Sequence, residues 1–217
     1  MEDMEDIKTS LKTGQYYTIS EAVEAERTIQ RSRFIASLRK AENRQEVDEH
    51  LKCIAALYPK ATHYCWGYRF AGSPKQEHAS DAGEPSGSAG RPILGALKKF
   101  SLENVLGVVT RYYGGIKLGV KGLITAYGET TLLAIQKSNR IVSEPNILVT
   151  FTSSYDHYNI FLARLEKCSL STKNIEAKFA ENVSGEILIP HSILGKIERE
   201  LKEIPPSKGS FHYEVKT

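Results

Sequence analysis

Cysteine is scarce in these 217 residues: Cys53, Cys65 and Cys168 form an odd, scattered set. That argues against a disulfide framework and for a reducing compartment. Long apolar runs are missing as well. Stretches such as Val105–Val109 fall far short of the ~20 residues needed to cross a bilayer. The first residues read MEDMED, acidic and without an apolar core, so they are not a secretory signal. No internal repeat or low-complexity tract is present. With 41% hydrophobic and 25% charged residues, the composition excludes collagen, coiled coil and wholesale disorder. The expectation is a cytoplasmic chain of one to two domains with no membrane contact.

What charge there is lies unevenly. The overall surplus is only +3, and residues 144–217 carry 9 basic and 10 acidic side chains. Four acids fall within the first six residues, and 1–13 reads as a frayed tail. Residues 7–143 hold 20 basic against 12 acidic side chains, a surplus of +8 that favours polyanionic partners. Glycine is just as uneven, with 12 of 16 between Gly67 and Gly128 and three beyond residue 143. The polar stretch Ser143-Glu144-Pro145-Asn146 marks the seam between domains 1–143 and 144–217.

Apolar periodicity predicts an α+β first domain. Strands are expected over 16–23, 28–38, 62–70 and 104–113. Helices are expected over 42–58, 91–100 and 121–138, the last with Leu123, Tyr127, Thr131 and Ile135 on one face. The second domain reads strand 147–152, helix 155–167, strands 175–180 and 186–190, helix 193–204 and strand 211–216. This βαββαβ order is the ferredoxin-like arrangement.

Three segments carry chemistry. In Ala61–Arg69, strand alternation puts His63, Cys65, Gly67 and Arg69 on one face and Thr62, Tyr64, Trp66 and Tyr68 on the other. Cys65 is either a packed core thiol or part of a Cys/His pair. Side chains two apart on a strand sit roughly 7 Å from each other, which strains a direct thiolate–imidazole contact. No zinc-like ligand spacing is present, so no metal or cofactor is expected.

Ser80–Gly90 is a glycine-rich loop running into a helix. Its N–H groups suit an anion. Asp81 and Glu84 oppose that; they could instead cap N–H groups, bind a hard cation or pair with a nearby arginine. His63, Asp81, Glu84, Ser86, Gly87 and Ser88 are therefore candidate lining residues, and the alternative is a surface loop holding its own turns.

In Val108–Gly122 a buried strand delivers Arg111, Tyr112 and Tyr113 to a glycine-rich turn. Gly114-x4-Gly119 has the spacing of a phosphate-binding P-loop, but Val120 stands where lysine is required, so nucleotide hydrolysis is not expected. Arg111, Lys117 and Lys121 remain, beside backbone at Gly114 and Gly115 that a ligand can approach. Tyr112 and Tyr113 could stack on bases. Arg69 and Arg91 complete the expected anion or nucleic-acid surface.

The segments ATHYCWGYR, SDAGEPSGSAGRPIL and VVTRYYGGIKLGVKGL, in this order, resemble the IMPACT family, whose bacterial members are of the YigZ/YvyE type. Ala82 departs from a second aspartate, Lys121 from a glycine and Thr125 from a common arginine. The first departure weakens any two-carboxylate mechanism. The resemblance implies an N-terminal domain similar to domain IV of elongation factor G and a ferredoxin-like C-terminal domain similar to its domain V. It implies no established catalytic residue. The resemblance further implies a tie to translational control, in which eukaryotic relatives act during amino-acid starvation through a protein partner, and, for the bacterial type, nucleic acid or ribosomes as the expected partners.

The expected function is thus a non-enzymatic RNA- or ribosome-associated module that modulates translation. One rival is a hydrolase-like enzyme working between residues 80–90 and 111–122, with Asp81 or Glu84 as general base and His63 as acid or base. The other is a protein-interaction adaptor that docks through its ferredoxin-like sheet.

Overall fold

The computed structural model describes residues 11, 14–72, 75–172, 175–204 and 211–216. The tail expected over 1–13 lies outside the described residues, Leu11 excepted. Two compact units emerge, one spanning Tyr16–Ser143 and one built on Glu144–Thr217.

In the first unit an antiparallel five-stranded sheet runs β2-β3-β6-β4-β5. Its strands are β2 (Val23–Ile29), β3 (Ser32–Lys40), β4 (His63–Arg69), β5 (Glu77–Ser80) and β6 (Val105–Tyr112). A two-stranded ribbon joins β1 (Tyr16–Ile19) to β7 (Arg140–Ser143). β6 is central and buried from Val105 to Arg111, which explains its near-continuous apolar run. Helix α1 (Arg44–Leu57) lays Val47 and Ile54 against Tyr68, Leu106 and Val108 on one face. Helices α2 (Gly90–Lys99) and α3 (Gly119–Lys137) cover the other through Ile93, Leu97, Leu123, Tyr127 and Ile135. The alternation read on β4 is kept, with Cys65 in the α2–α3 core and Tyr68 in the α1 core. Asn43 caps α1 by accepting from the Glu46 N–H at 3.0 Å, while Glu46 reaches back to the Glu42 N–H at 2.8 Å.

Three sequence expectations need correction. Residues 16–23 are not one strand, because β1 leaves for the ribbon and β2 starts at Val23. Residues 28–38 span a hairpin turn at Gln30 and Arg31, with φ of 44° and 64°. Neither is the glycine or asparagine that normally announces such a turn. β5 and β7 were not anticipated; β5, Glu-His-Ala-Ser, has no apolar alternation and forms by pairing with β4.

The second unit comprises β8 (Asn146–Ser153), α4 (Tyr155–Lys167), β9 (Glu176–Phe179), β10 (Val183–Pro190), α5 (His191–Lys202) and β11 (His212–Lys216). Its sheet order β11-β8-β10-β9 is the ferredoxin-like topology. Val149, Phe151, Ile187 and Ile189 face Phe161, Leu165, Ile197 and Leu201 of the two helices. Among the described residues no helix is long and apolar enough to cross a membrane.

Candidate functional site

Antiparallel register sets Arg111, at the end of β6, opposite His63 at the start of β4. The Arg111 guanidinium is buried between the rings of Phe34 and Tyr113, at 5.3 and 5.2 Å. Its Nη1 donates to Glu84 Oε1 at 2.6 Å, and Nη2 donates to Ser32 Oγ at 3.3 Å. Glu84, whose side chain is 4% exposed, accepts a second hydrogen bond on the same oxygen from Tyr127 Oη at 2.8 Å. Burial, with Cys65 and Glu84 adjoining, drives the Tyr127 hydroxyl far above the ordinary phenol range, so it stays a donor. Cys65 Sγ lies 2.9 Å from the carbonyl oxygen of Asp81 and 3.3 Å from Tyr127 Oη. Burial pushes its thiol up to about 12, so it is not a thiolate nucleophile at neutral pH. His63 Nδ1 is 2.9 Å from the Ala82 carbonyl oxygen, and Nε2 is 4.0 Å from Glu84 Oε1.

Asp81 closes the glycine-rich loop on itself. Its Oδ2 accepts from the Gly87 N–H at 2.8 Å, and its Oδ1 from the N–H groups of Ala89 and Gly90 at 2.9 Å each. Burial alone would raise its pKa, but these three bonds, helped by Arg91, outweigh it and hold the carboxyl below the usual range. Ser88 is buried and donates to the Pro85 carbonyl at 2.6 Å. Of the uses the sequence left open for these amides, capping by a carboxylate of the chain is the one the structure has: Asp81 already occupies the N–H groups at the start of α2.

Not all the expected cations converge. Arg69 lies at the far end of β4, opposite Val105, buried against Glu77 and Glu103 with Nη1 donating to the Leu102 carbonyl at 3.1 Å. It is not part of the surface. Tyr112 points to the other side of the sheet from Arg111, its hydroxyl donating to the Pro59 carbonyl at 3.2 Å. Arg91 is exposed and lines a separate cavity of about 380 Å³ with Asp81, Ser86 and Gly87. A smaller cavity, about 240 Å³, separates Glu84 and Pro85 from Tyr113, Lys117 and Val120, with Arg111 in its lining. Lys117 is exposed there and Tyr113 is 44% exposed; Lys121 is exposed in the first turn of α3 but does not line the cavity, and Ile116, Val120 and Ile124 are exposed apolar side chains of the same stretch. Gly114 donates to Ser32 Oγ at 3.1 Å and Gly115 is left-handed at φ 84°, which shapes the turn. Phe34, Ser32 and Tyr127 were not foreseen as site residues. A tyrosine on an apolar helix face was the available signal, since a buried hydroxyl requires a partner. Among the described residues no group of three or more His, Cys, Asp or Glu is placed to hold a metal ion.

These features define a two-domain α+β protein: a helix-flanked sheet with a buried Arg–Glu–Tyr network beneath a lysine-bearing rim, followed by a ferredoxin-like unit. The Impact N-terminal domain model matches residues 30–135. YvyE of Bacillus subtilis is 34% identical over 195 residues, 89% of this chain and 88% of its own. YigZ of Escherichia coli K12 is 30% identical over 185 residues, 84% and 88%. A crystal structure of a hypothetical protein is 27% identical with a TM-score of 0.73, covering 95% of this chain and 99% of its own. The chain belongs to the IMPACT family.

Proposed function

We propose that this chain is a translation-associated module that binds single-stranded RNA, on the ribosome or free, without catalysing a reaction. The observation that carries the reading is the grouping of exposed Lys117 with the half-exposed Tyr113 ring at the rim of one cavity, with Lys121 exposed in the first turn of the helix that follows. Ammonium groups meet phosphates, and the ring offers a stacking face. The cationic surplus of residues 7–143 and the family's tie to translational control support it. The enzymatic alternative gains no support from the geometry. Asp81 is committed to three backbone amides, Glu84 to Arg111 and Tyr127, and Cys65 holds its proton.

Arg111 does not belong in a charge-reversal test, because it is the buried counter-charge of Glu84. The test is Lys117→Glu with Lys121→Glu, assayed on single-stranded RNA and on ribosomal subunits across a salt series. Losing two phosphate contacts should flatten the log–log salt dependence by about 1.4, at roughly 0.7 per phosphate. Tyr113→Ala should weaken RNA binding by about tenfold without changing that slope. Unchanged affinity of the double variant at every salt concentration would overturn the proposal.

A further inference from the structure

The sheet of the second unit ends at β9, which pairs with β10 on one side and with no described strand on the other. Ala180 donates to the Asn182 carbonyl at 3.1 Å, which fixes the parity of the ladder. Glu176 and Lys178 therefore turn their backbone groups to β10, and Ala177 and Phe179 turn theirs to the open edge. Side chains alternate between the two faces. Ala177 and Phe179 lie on the helix side, where Phe179 meets the rings of Tyr155 and Tyr158 at 6.2 and 5.6 Å. Phe179 is nonetheless 60% exposed and Tyr155 52%, because the layer stops at this strand. Glu176 and Lys178 are exposed on the opposite face, and neither forms an ion pair among the described residues.

An open edge is a template for another strand, and charged side chains are a common way to blunt it. Here the charges are arranged about a centre. The segment reads Ile175, Glu176, Ala177, Lys178, Phe179. Turned about a two-fold axis at Ala177, it meets itself with Glu176 opposite the second copy's Lys178 and Ile175 opposite the second copy's Phe179. The two copies of Ala177 then exchange N–H and C=O, as outward groups of an antiparallel ladder do. Glu176 and Lys178 fall at the non-hydrogen-bonded positions, where Cα atoms approach to about 4.5 Å and side chains are closest. An axis at Glu176 or at Lys178 sets like charges face to face, which is unfavourable. The axis at Ala177 also keeps both helix layers on one side of the joined sheet, so that Ile175 of one copy covers Phe179 of the other.

We propose that β9 is a dimerisation edge: two copies of this chain join β9 to β9, antiparallel and centred on Ala177, into one continuous sheet. The interface is isologous and short, so the dimer is transient, with a dissociation constant on the order of 10–100 μM. It does not depend on the RNA-binding reading.

The experiment is sedimentation equilibrium of the full, nuclease-treated chain across about 1–500 μM, which should show a reversible monomer–dimer transition. Ala177→Pro removes the central donor without removing a bond to β10, because proline is tolerated where an edge N–H faces outward; the dimer should be lost. Lys178→Glu sets carboxylate against carboxylate on both sides of the axis, and Glu176→Lys sets ammonium against ammonium. Each alone should dimerise about tenfold more weakly than wild type. Mixed in equal amounts, these two variants should form a heterodimer at least as tight as the wild-type homodimer. That rescue separates the register from a loss of folding, since an unfolded variant is not rescued. Lys117→Glu with Lys121→Glu should dimerise as wild type does, so failure of the RNA reading and failure of this one are distinguishable. A chain monomeric at every concentration, a dimer that survives Ala177→Pro, charge variants that do not rescue each other, or a dimer lost in the lysine double variant would each overturn the proposal.

Discussion

The loop 80–90 and the turn 113–119 are both rich in glycine, both run into a helix and both border the same cavity, yet they handle charge in opposite ways. In the first, Asp81 gathers the amides of Gly87, Ala89 and Gly90, and Glu84 neutralises Arg111. The loop's polar groups are spent on its own structure. In the second, Gly114 is pinned to Ser32 while Lys117 and Tyr113 stay in solvent. Glycine-rich sequence before a helix therefore does not by itself make an anion site. What decides is whether a carboxylate of the chain reaches the amides first.

The largest expected effect comes from the closed side. Arg111→Met would leave Glu84 buried without a counter-charge, with both side chains at most 6% exposed in the native pair. Urea unfolding should show a loss of about 3–5 kcal/mol. Adding Glu84→Gln should recover most of it, because both buried charges are then gone. A loss below about 1 kcal/mol for the single variant would mean that water reaches the pair and the network is not closed.

Asp81→Ala comes next. Three amides at the start of α2 lose their acceptor, and about 2–3 kcal/mol should follow, with faster hydrogen exchange at Gly87, Ala89 and Gly90. The pH dependence has a definite sign. The folded carboxyl titrates below its ordinary value of 3.8, so its contribution is fully present above that value. It is lost as pH falls through the lower, folded value. Wild type and variant should converge in acid unfolding; a constant gap down to the lowest pH would contradict the capping role.

Gly114→Ala tests the other segment from within. A Cβ built there would lie 2.1 Å from the Arg31 carbonyl group, so the backbone itself must move, and about 2 kcal/mol is expected in thermal unfolding. Gly115→Ala meets open space and pays only for its left-handed φ of 84°, about 1 kcal/mol. Equal losses would mean that the Arg31–Gly114 contact does not shape the turn.

Much of this contrast was legible in the residues and part was not. The periodicity of α3 and the unbroken apolar run of β6 marked buried elements, because burial on a fixed face leaves a fixed repeat. The breaks between β1, β2 and β3 left no such mark, since Gln30 and Arg31 turn the chain without glycine. β5 exists only through its pairing with β4. At the site, capping of amides and pairing with arginine were both open to Asp81 and Glu84. Which carboxylate did which depended on the path of the loop, not on spacing. Arg69 shares a strand with His63 but stands six residues away, at the other end of the sheet.

The smallest effect on stability is the most discriminating. Lys117→Ala with Lys121→Ala removes two exposed ammonium groups, and exposed substitutions away from caps and ion pairs stay within about 0.5 kcal/mol. The melting temperature should not move, while RNA affinity and its salt dependence fall. A surface retained for binding shows this separation; a surface that serves the fold does not. If the two alanines instead lower the melting temperature in step with affinity, the open segment is as structural as the closed one, and the contrast between them disappears.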